Sequence, residues 1–270
     1  MIKNDDELVR FEKQGAMPLP KTDNQGYIEH DGAIIWYAVY GKGKPVILLH
    51  GGLGNSGNWG YQIPALLENG YQAIVIDSRG HGRSTRDKRP YSYELMASDV
   101  SAVMETLLIQ TASLVGWSDG AVIALLIGKF FPERVNGVFF FACNMDPGGA
   151  KENTESTPAL ENCFSRHKKD YQTLSTTPDA FESLVAAVGI MQRTQPNYTT
   201  EDLKKILVPV KIVLGEFDEF IKQEHAQYLA HSIPNASFLA LPSVSHFAPL
   251  QHPDQFNQAV LDFLKQVETE

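Results

Sequence analysis

Short, unbroken runs of apolar and largely β-branched residues recur along this chain, and they restrict its fold more than any other feature. Val46-Ile47-Leu48-Leu49 and Ala73-Ile74-Val75-Ile76 are two of them. A strand with one wet face alternates polar and apolar residues. These runs have no wet face, so they require cover on both sides, as in a parallel sheet. Similar runs follow at Ser113–Val115, Gly137–Ala142, Val210–Leu214 and Ser237–Leu241. Helical patterns lie between them. Tyr93–Leu108 places Met96, Val100, Val103 and Leu107 on one stripe. Ser118–Phe131 is apolar nearly all round and stops near Pro132, which predicts a core helix. Pro253–Gln266 carries Phe256, Val260, Phe263 and Leu264 on one face. Ahead of all these, Tyr27–His30 and Ile34–Tyr40 flank Asp31-Gly32, a hairpin signal. The pattern predicts an α/β fold: a mostly parallel sheet with an antiparallel start and helices on both faces.

Length allows one large domain or two small ones, since the chain has 270 residues. Residues 1–25 are polar and broken by Gly15, Pro18 and Pro20, which reads as an arm on the surface. Residues 26–145 and 205–270 carry the strand–helix alternation. Residues 146–204 interrupt it with Pro147-Gly148-Gly149 and polar helical segments punctuated by Pro158, Pro178 and Pro196. That stretch is too long for a plain loop in a compact domain. It reads as a helical cap inserted between two strands of one sheet.

Charge and cysteine content exclude several classes. Lys and Arg total 23 against 32 for Asp and Glu, a net charge of −9. Nucleic-acid binding needs clustered cations, and docking on anionic membranes needs a basic face. Neither partner is expected. No apolar stretch, Ala121–Ile127 included, comes near the length of a membrane span, and Met1–Glu7 has no apolar core of a secretory signal. Cys143 and Cys163 show neither CxxC spacing nor a disulfide framework, and two cysteines alone make no zinc site. A soluble cytoplasmic protein with reduced thiols and no metal is expected; the oligomeric state is left open.

Gly116-Trp117-Ser118-Asp119-Gly120 is a G-x-S-x-G sequence between a strand and an apolar helix, the context the motif requires. A serine at so sharp a turn takes strained backbone angles, and the flanking glycines allow close approach. The turn lifts the hydroxyl clear of the sheet and aims the helix's free N–H groups at a reacting oxygen. The alternative is a serine that merely caps a buried helix. A nucleophilic serine needs a base, and the base needs an orienting acid. Asp218 follows the run Val210–Leu214 and His246 follows Ser237–Leu241, so both fall at strand C-termini, where α/β sheets form their sites. His252, Glu216, Glu219 and Asp146 compete for those roles. The other histidines, His167 and His225 among them, read as surface or supporting groups.

His50-Gly51-Gly52-Leu53-Gly54 follows the first parallel run and supplies a candidate oxyanion hole. The backbone N–H groups of Gly52 and Leu53 would lie opposite that of Asp119, with His50 bracing the loop. The same glycines also fit a dinucleotide fingerprint, Gly52-Leu53-Gly54-Asn55-Ser56-Gly57, with Asp77 as the ribose acid. That reading starts from a hairpin instead of a βαβ unit and leaves Ser118, Asp218 and His246 without a task. No cofactor is expected.

From about residue 26 to 266 the chain resembles the α/β-hydrolase superfamily, in its capped ester-hydrolase branch. The likeness rests on Leu49-His50-Gly51-Gly52, Asp77-Ser78-Arg79-Gly80-His81-Gly82-Arg83-Ser84, Gly116-Trp117-Ser118-Asp119-Gly120, Gly215-Glu216-Phe217-Asp218 and Ser245-His246-Phe247. It implies an eight-stranded, mostly parallel sheet with the cap over Ser118, and a structural role for Asp77 and His81. A serine nucleophile argues against the haloalkane and epoxide branches, which use an aspartate. The Gly-Trp-Ser-Asp-Gly elbow is similar to that of hydrolases of α-amino-acid esters, in which this Asp meets the substrate ammonium. A second reading folds the Asp119 carboxylate back onto its own helix start. Trp59, Met145, Phe217 and Phe247 stand beside the motifs as candidates for an apolar acyl pocket.

The expected function is hydrolysis of small to medium carboxylic esters by Ser118, His246 and Asp218. Rival readings are a lactonase, C–C hydrolase or acyltransferase on the same fold, a receptor or pseudoenzyme, and a dinucleotide-dependent oxidoreductase.

Overall fold

In the computed structural model, which describes residues 6–152 and 156–269, the Asp31-Gly32 turn joins β1 (Asn24–His30) to β2 (Ala33–Tyr40) as an antiparallel hairpin. Asp31 and Gly32 both have positive φ, 41° and 80°, as a tight hairpin turn demands. The continuous apolar runs form β3 (Lys44–Leu49), β4 (Tyr71–Ile76), β5 (Ala112–Trp117), β6 (Val135–Phe141), β7 (Val210–Gly215) and β8 (Ala236–Leu241). All eight strands make one sheet in the order β1-β2-β4-β3-β5-β6-β7-β8. Pairing is antiparallel as far as β2–β4 and parallel beyond it.

The register brings the C-terminal ends of the central strands into line. Leu49 pairs with both Ile76 and Gly116, Gly116 with Phe140, and Phe141 with Val213. The loops leaving β3, β5, β7 and β8 therefore emerge at one edge of the sheet, and every candidate triad residue lies on them.

The N-terminal segment departs from expectation. Residues 6–14 are not an arm but a helix, α1 (Asp6–Gln14), whose Leu8 and Phe11 are buried. Their spacing of three residues puts both on one face, a short apolar signal within a polar stretch. Gly15, with φ of 82°, ends the helix. Residues 1–5 of the predicted arm lie outside the described residues.

Helices α2 (Gln62–Glu68), α3 (Tyr93–Thr106) and α4 (Asp119–Phe130) follow in the first half. Ala121 to Ile127 of α4 are fully enclosed, which explains why that helix has no polar face. Between β6 and β7 lie α5 (Pro158–Leu174), α6 (Phe181–Thr194) and α7 (Thr200–Leu203), and α1 packs on α5. Helices α8 (Gln223–Ser232), α9 (Ala248–Gln251) and α10 (Pro253–Thr269) complete the chain. Phe256 of α10 sets its ring edge-on to Phe139 and Phe141 of β6, tying the last helix to the middle of the sheet. Among the described residues no helix is long and apolar enough to cross a membrane.

Candidate active site

Ser118 stands between β5 and α4 with φ of 54° and ψ of −123°. A positive φ at a non-glycine residue costs on the order of 1–3 kcal/mol and persists only where its surroundings enforce it. The enforcement is visible. A Cβ at Gly116 would approach Gly120 O to 2.3 Å, and one at Gly120 would approach Leu49 O to 2.1 Å. Only glycine at both places lets the strand turn straight into the helix. Ser118 makes no side-chain cap bond to that helix, so the simple N-cap alternative fails.

The candidate base and acid lie in contact. His246 Nδ1 lies 2.8 Å from Asp218 Oδ2, and both side chains are buried. Asp218 Oδ1 accepts from the Phe220 and Ile221 N–H groups at 2.9 and 2.8 Å, which fixes the carboxylate in place. A Cβ at Gly215 would come within 2.5 Å of Ser245 O, so glycine there lets the acid loop and the histidine loop touch. The His246 ring is held edge-on by Phe220 at 4.7 Å. Burial disfavours its cation. The Asp218 charge and hydrogen bond, with help from Glu219 and Asp119, outweigh that penalty and hold its pKa above the usual histidine value.

Competing groups are occupied elsewhere. Asp146 faces His225 at 3.7 Å and accepts from the Gly148 N–H. Glu216 accepts from the Ser243 N–H, and Glu219 from the backbone N–H of His246. His252 ends α9, at the turn into α10. Ser118 and His246 line the same cavity, and no hydrogen bond joins their side chains. Bonds of this kind commonly tighten only when substrate is present.

The β3 loop supplies the next wall. Gly51, Gly52, Leu53 and Gly54 all border the cavity, and Leu53 adopts φ of 64°. A Cβ at Gly51 would sit 3.1 Å from Ser118 Cβ, so this backbone passes directly beside the serine. His50 braces the loop: its Nε2 accepts from the Ser78 N–H, and its Nδ1–H donates to Gly51 O. Burial pushes its pKa down and keeps the ring neutral, as those two bonds need. Asp77 is fully buried and accepts from the N–H groups of Ser56 and Arg83 and from the Arg83 guanidinium. Its oxygens are spent on loop bracing, which removes the ribose acid from the dinucleotide reading.

The cavity measures about 680 Å³ and is walled mainly by apolar groups. Asp119 faces it without folding back onto α4. Its Oδ1 accepts from Tyr93 OH at 2.8 Å, and Gln192 Nε2 donates to both oxygens at 3.2 and 3.0 Å. Burial raises its pKa, opposed by those donors and by His246.

Of the four apolar candidates only Phe247 lines the cavity. Trp59 is fully enclosed below it, packed on Trp117 and Phe256. Met145 is also buried, its backbone held by His225 and Tyr198. Phe217 turns outward and is 38% exposed. Phe220 and Ile221 take those places because the chain doubles back after Asp218 to bond its carboxylate. From α5 and α6, Leu160, Phe164, His167 and Gln192 also border the cavity, and Cys143 and Cys163 add buried thiols to its wall. Only adjacence to Asp218 could have pointed to Phe220 and Ile221; nothing local marked His167 or Gln192.

A family model described as alpha/beta hydrolase fold matches residues 44–189. The chain belongs to the α/β-hydrolase family. This α/β-hydrolase is 28% identical over 263 residues to a 2-hydroxy-6-oxononadienedioate/2-hydroxy-6-oxononatrienedioate hydrolase of Paraburkholderia phymatum, across 86% of this chain and 91% of that one. It is 27% identical over 266 residues to the non-heme chloroperoxidase CPO-A1 of Kitasatospora aureofaciens, across 87% and 97%. Among solved structures it is similar to Est816, described as an N-acyl homoserine lactone degrading enzyme. That match has a TM-score of 0.68 and 28% identity, and covers 88% of this chain and all of the other.

Proposed function

We propose that this α/β-hydrolase cleaves small to medium carboxylic esters through an acyl-enzyme on Ser118. The observation that carries the reading is the buried Asp218–His246 pair, opening onto the same cavity as a serine held at positive φ. Ser118 Oγ attacks the ester carbonyl while His246 Nε2 takes its proton. Asp218 keeps the other ring nitrogen protonated and stabilises the imidazolium. The new oxyanion accepts from the Asp119 N–H and from the N–H groups of Gly52 and Leu53; losing one side-chain donor from a hole of this kind costs about 10²–10³ in rate. His246 then protonates the departing alcohol, and water, activated by the same ring, releases the acid. Residues 146–204 act as the cap that bounds substrate size, since α5 and α6 furnish one side of the cavity. A small-molecule ester is the partner this chemistry needs.

Lactone hydrolysis is the second reading, supported by the similarity to Est816. A lactone is a cyclic ester, and the same serine would open it without losing the alcohol. The test is turnover of 4-nitrophenyl esters and N-acyl homoserine lactones by the protein and by Ser118→Ala. Loss of about 10⁴-fold or more is expected for the variant. Full activity in Ser118→Ala would overturn both readings.

A further inference from the structure

The loop that carries Asp218 is bonded on two sides. On one side, the Phe220 and Ile221 N–H groups donate to the Asp218 carboxylate. On the other, the same loop pairs with residues 148–151, where the chain leaves β6 for the proposed cap. Ala150 and Ile221 form an antiparallel bridge. The Lys151 N–H donates to Phe220 O at 2.7 Å, and the Lys222 N–H donates to Gly149 O at 3.0 Å. Lys222 Nζ adds a bond to Gly148 O at 3.0 Å. His225 of α8 anchors this strap: its Nε2 accepts from the Met145 N–H, and a Cβ at Gly149 would meet its ring at 2.4 Å. Glycine at 149 thus lets the cap root lie directly on α8.

Lys151 closes the strap. Its Nζ donates to Asp218 O, the backbone carbonyl of the proposed acid itself. Lys151 is an exposed residue that also borders the cavity. A lysine in such a place keeps its rotamer freedom and hydration unless something holds the ammonium, so a fixed ammonium costs side-chain entropy. The return is a charge-assisted bond, roughly twice as strong as a neutral one. That bond reaches His246 by two short routes. Asp218 Oδ2 lies 2.8 Å from His246 Nδ1. Phe220, whose O accepts from the Lys151 N–H, sets its ring edge-on to the imidazole at 4.7 Å.

We propose that Lys151 is a positioning residue: by tying the Asp218 loop to the root of the cap, it holds the proposed acid against His246. The inference rests on the ester-hydrolase reading of the site and adds to it the cap's hold on the acid. Two roles for Lys151 predict opposite effects on His246. The charged side chains that act on this ring are Asp218, Glu219 and Asp119, all of which favour its cation. The rings packed on it, Trp117, Phe220 and Phe247, carry no charge. A lysine that supplied only its charge would oppose the cation, and its removal would raise the pKa of His246. A lysine that aligns Asp218 supports the cation, and its removal lowers that pKa.

The test compares Lys151→Met, which keeps the long stem and removes the ammonium, with Lys151→Arg, which keeps a cationic donor. Both sites are exposed, so the fold survives either change. The His246 ring-proton resonance, assigned by its loss in His246→Gln, is titrated by NMR, and kcat and KM are measured on 4-nitrophenyl esters. In Lys151→Met the titration midpoint is expected to fall by about half a pH unit or more. There kcat should drop about tenfold with KM changed less than about twofold, the effect of one hydrogen bond to a charged group. Lys151→Arg returns both values toward those of the unsubstituted protein. A midpoint that stays or rises in Lys151→Met overturns the positioning role, as does a fall that arginine fails to restore. The midpoint is read without turnover, so the two claims separate. Hydrolysis persisting in Ser118→Ala sinks the ester-hydrolase reading, whereas an unmoved midpoint in Lys151→Met sinks the positioning role alone.

Discussion

A histidine base must be neutral to take a proton, and the surroundings of His246, the proposed base, set the pH at which it is neutral. Burial lowers its pKa, but Asp218 at 2.8 Å more than reverses the effect, so the ring titrates above the ordinary histidine value of about 6.5. Ester hydrolysis should therefore decline as pH falls through that raised pKa, visible as the acid limb of kcat/KM. In Asp218→Asn the charge is gone while the shape remains. That variant is expected to lose about 10⁴-fold in kcat, with the acid limb of its residual activity moved to lower pH. An unmoved limb would mean that some other group sets it. Asp119 offers a second prediction at this scale. Its buried carboxylate is held between Tyr93 and Gln192 on the cavity wall. Asp119→Asn keeps the side chain's shape and one acceptor oxygen for Tyr93, takes one acceptor from Gln192 and removes the charge, so kcat/KM for amino-acyl esters should fall by about tenfold or more relative to neutral acyl esters. Equal losses on both ester classes would dismiss an ammonium-binding role.

Helices and strands show what periodicity reveals and what it conceals. Strand runs such as Val46–Leu49 were legible because burial on both faces leaves no polar interruption, and α4 for the same reason. The strand-end positions of Ser118, Asp218 and His246 followed from those runs. α1 was missed because only Leu8 and Phe11 mark its buried face, and a pair of residues is too short a period to stand out from a polar stretch. Its importance is testable through packing. Phe11 is 3% exposed and touches His167, so Phe11→Ala should destabilise the protein by about 3–5 kcal/mol in urea unfolding if α1 unfolds with the rest. A change below about 1 kcal/mol would show that α1 detaches independently. The cavity wall was less legible than the proposed triad. Motifs fix backbone turns, and those turns place Ser118 or Gly52, but Trp59 and Phe217 beside them point wherever tertiary packing sends them. Gln192 and His167 arrive from helices distant in sequence, with no local pattern to announce the contact.

Across the whole molecule, several histidines are buried in neutral form, and they tie stability to pH. His81 is the strongest case: burial and the nearby His50 lower its pKa to about 3, while its Nδ1–H donates to Arg79 O. In the unfolded chain the same ring takes a proton near pH 6.5. Between those values the unfolded state holds more protons than the native one, so stability falls as pH falls across that window. His246 acts with the opposite sign, since its raised pKa gives stability that is present below about pH 6.5 and lost as pH rises through the folded value. Buried carboxylates such as Asp119 and Asp99, with pKa values raised by burial, also gain protons on acidification and offset the histidines. A single-site comparison removes these shared contributions. His81→Phe deletes one titration and leaves the others, so its unfolding free energy should drop by about 1 kcal/mol less than that of the unsubstituted protein between about pH 5.5 and pH 4.5. Lower absolute stability in the variant is expected, because the bond to Arg79 O is lost; the difference in slope is the quantity that decides. Identical slopes would mean that His81 is protonated in the folded protein, and that its place beneath the β3 loop is held by a cation.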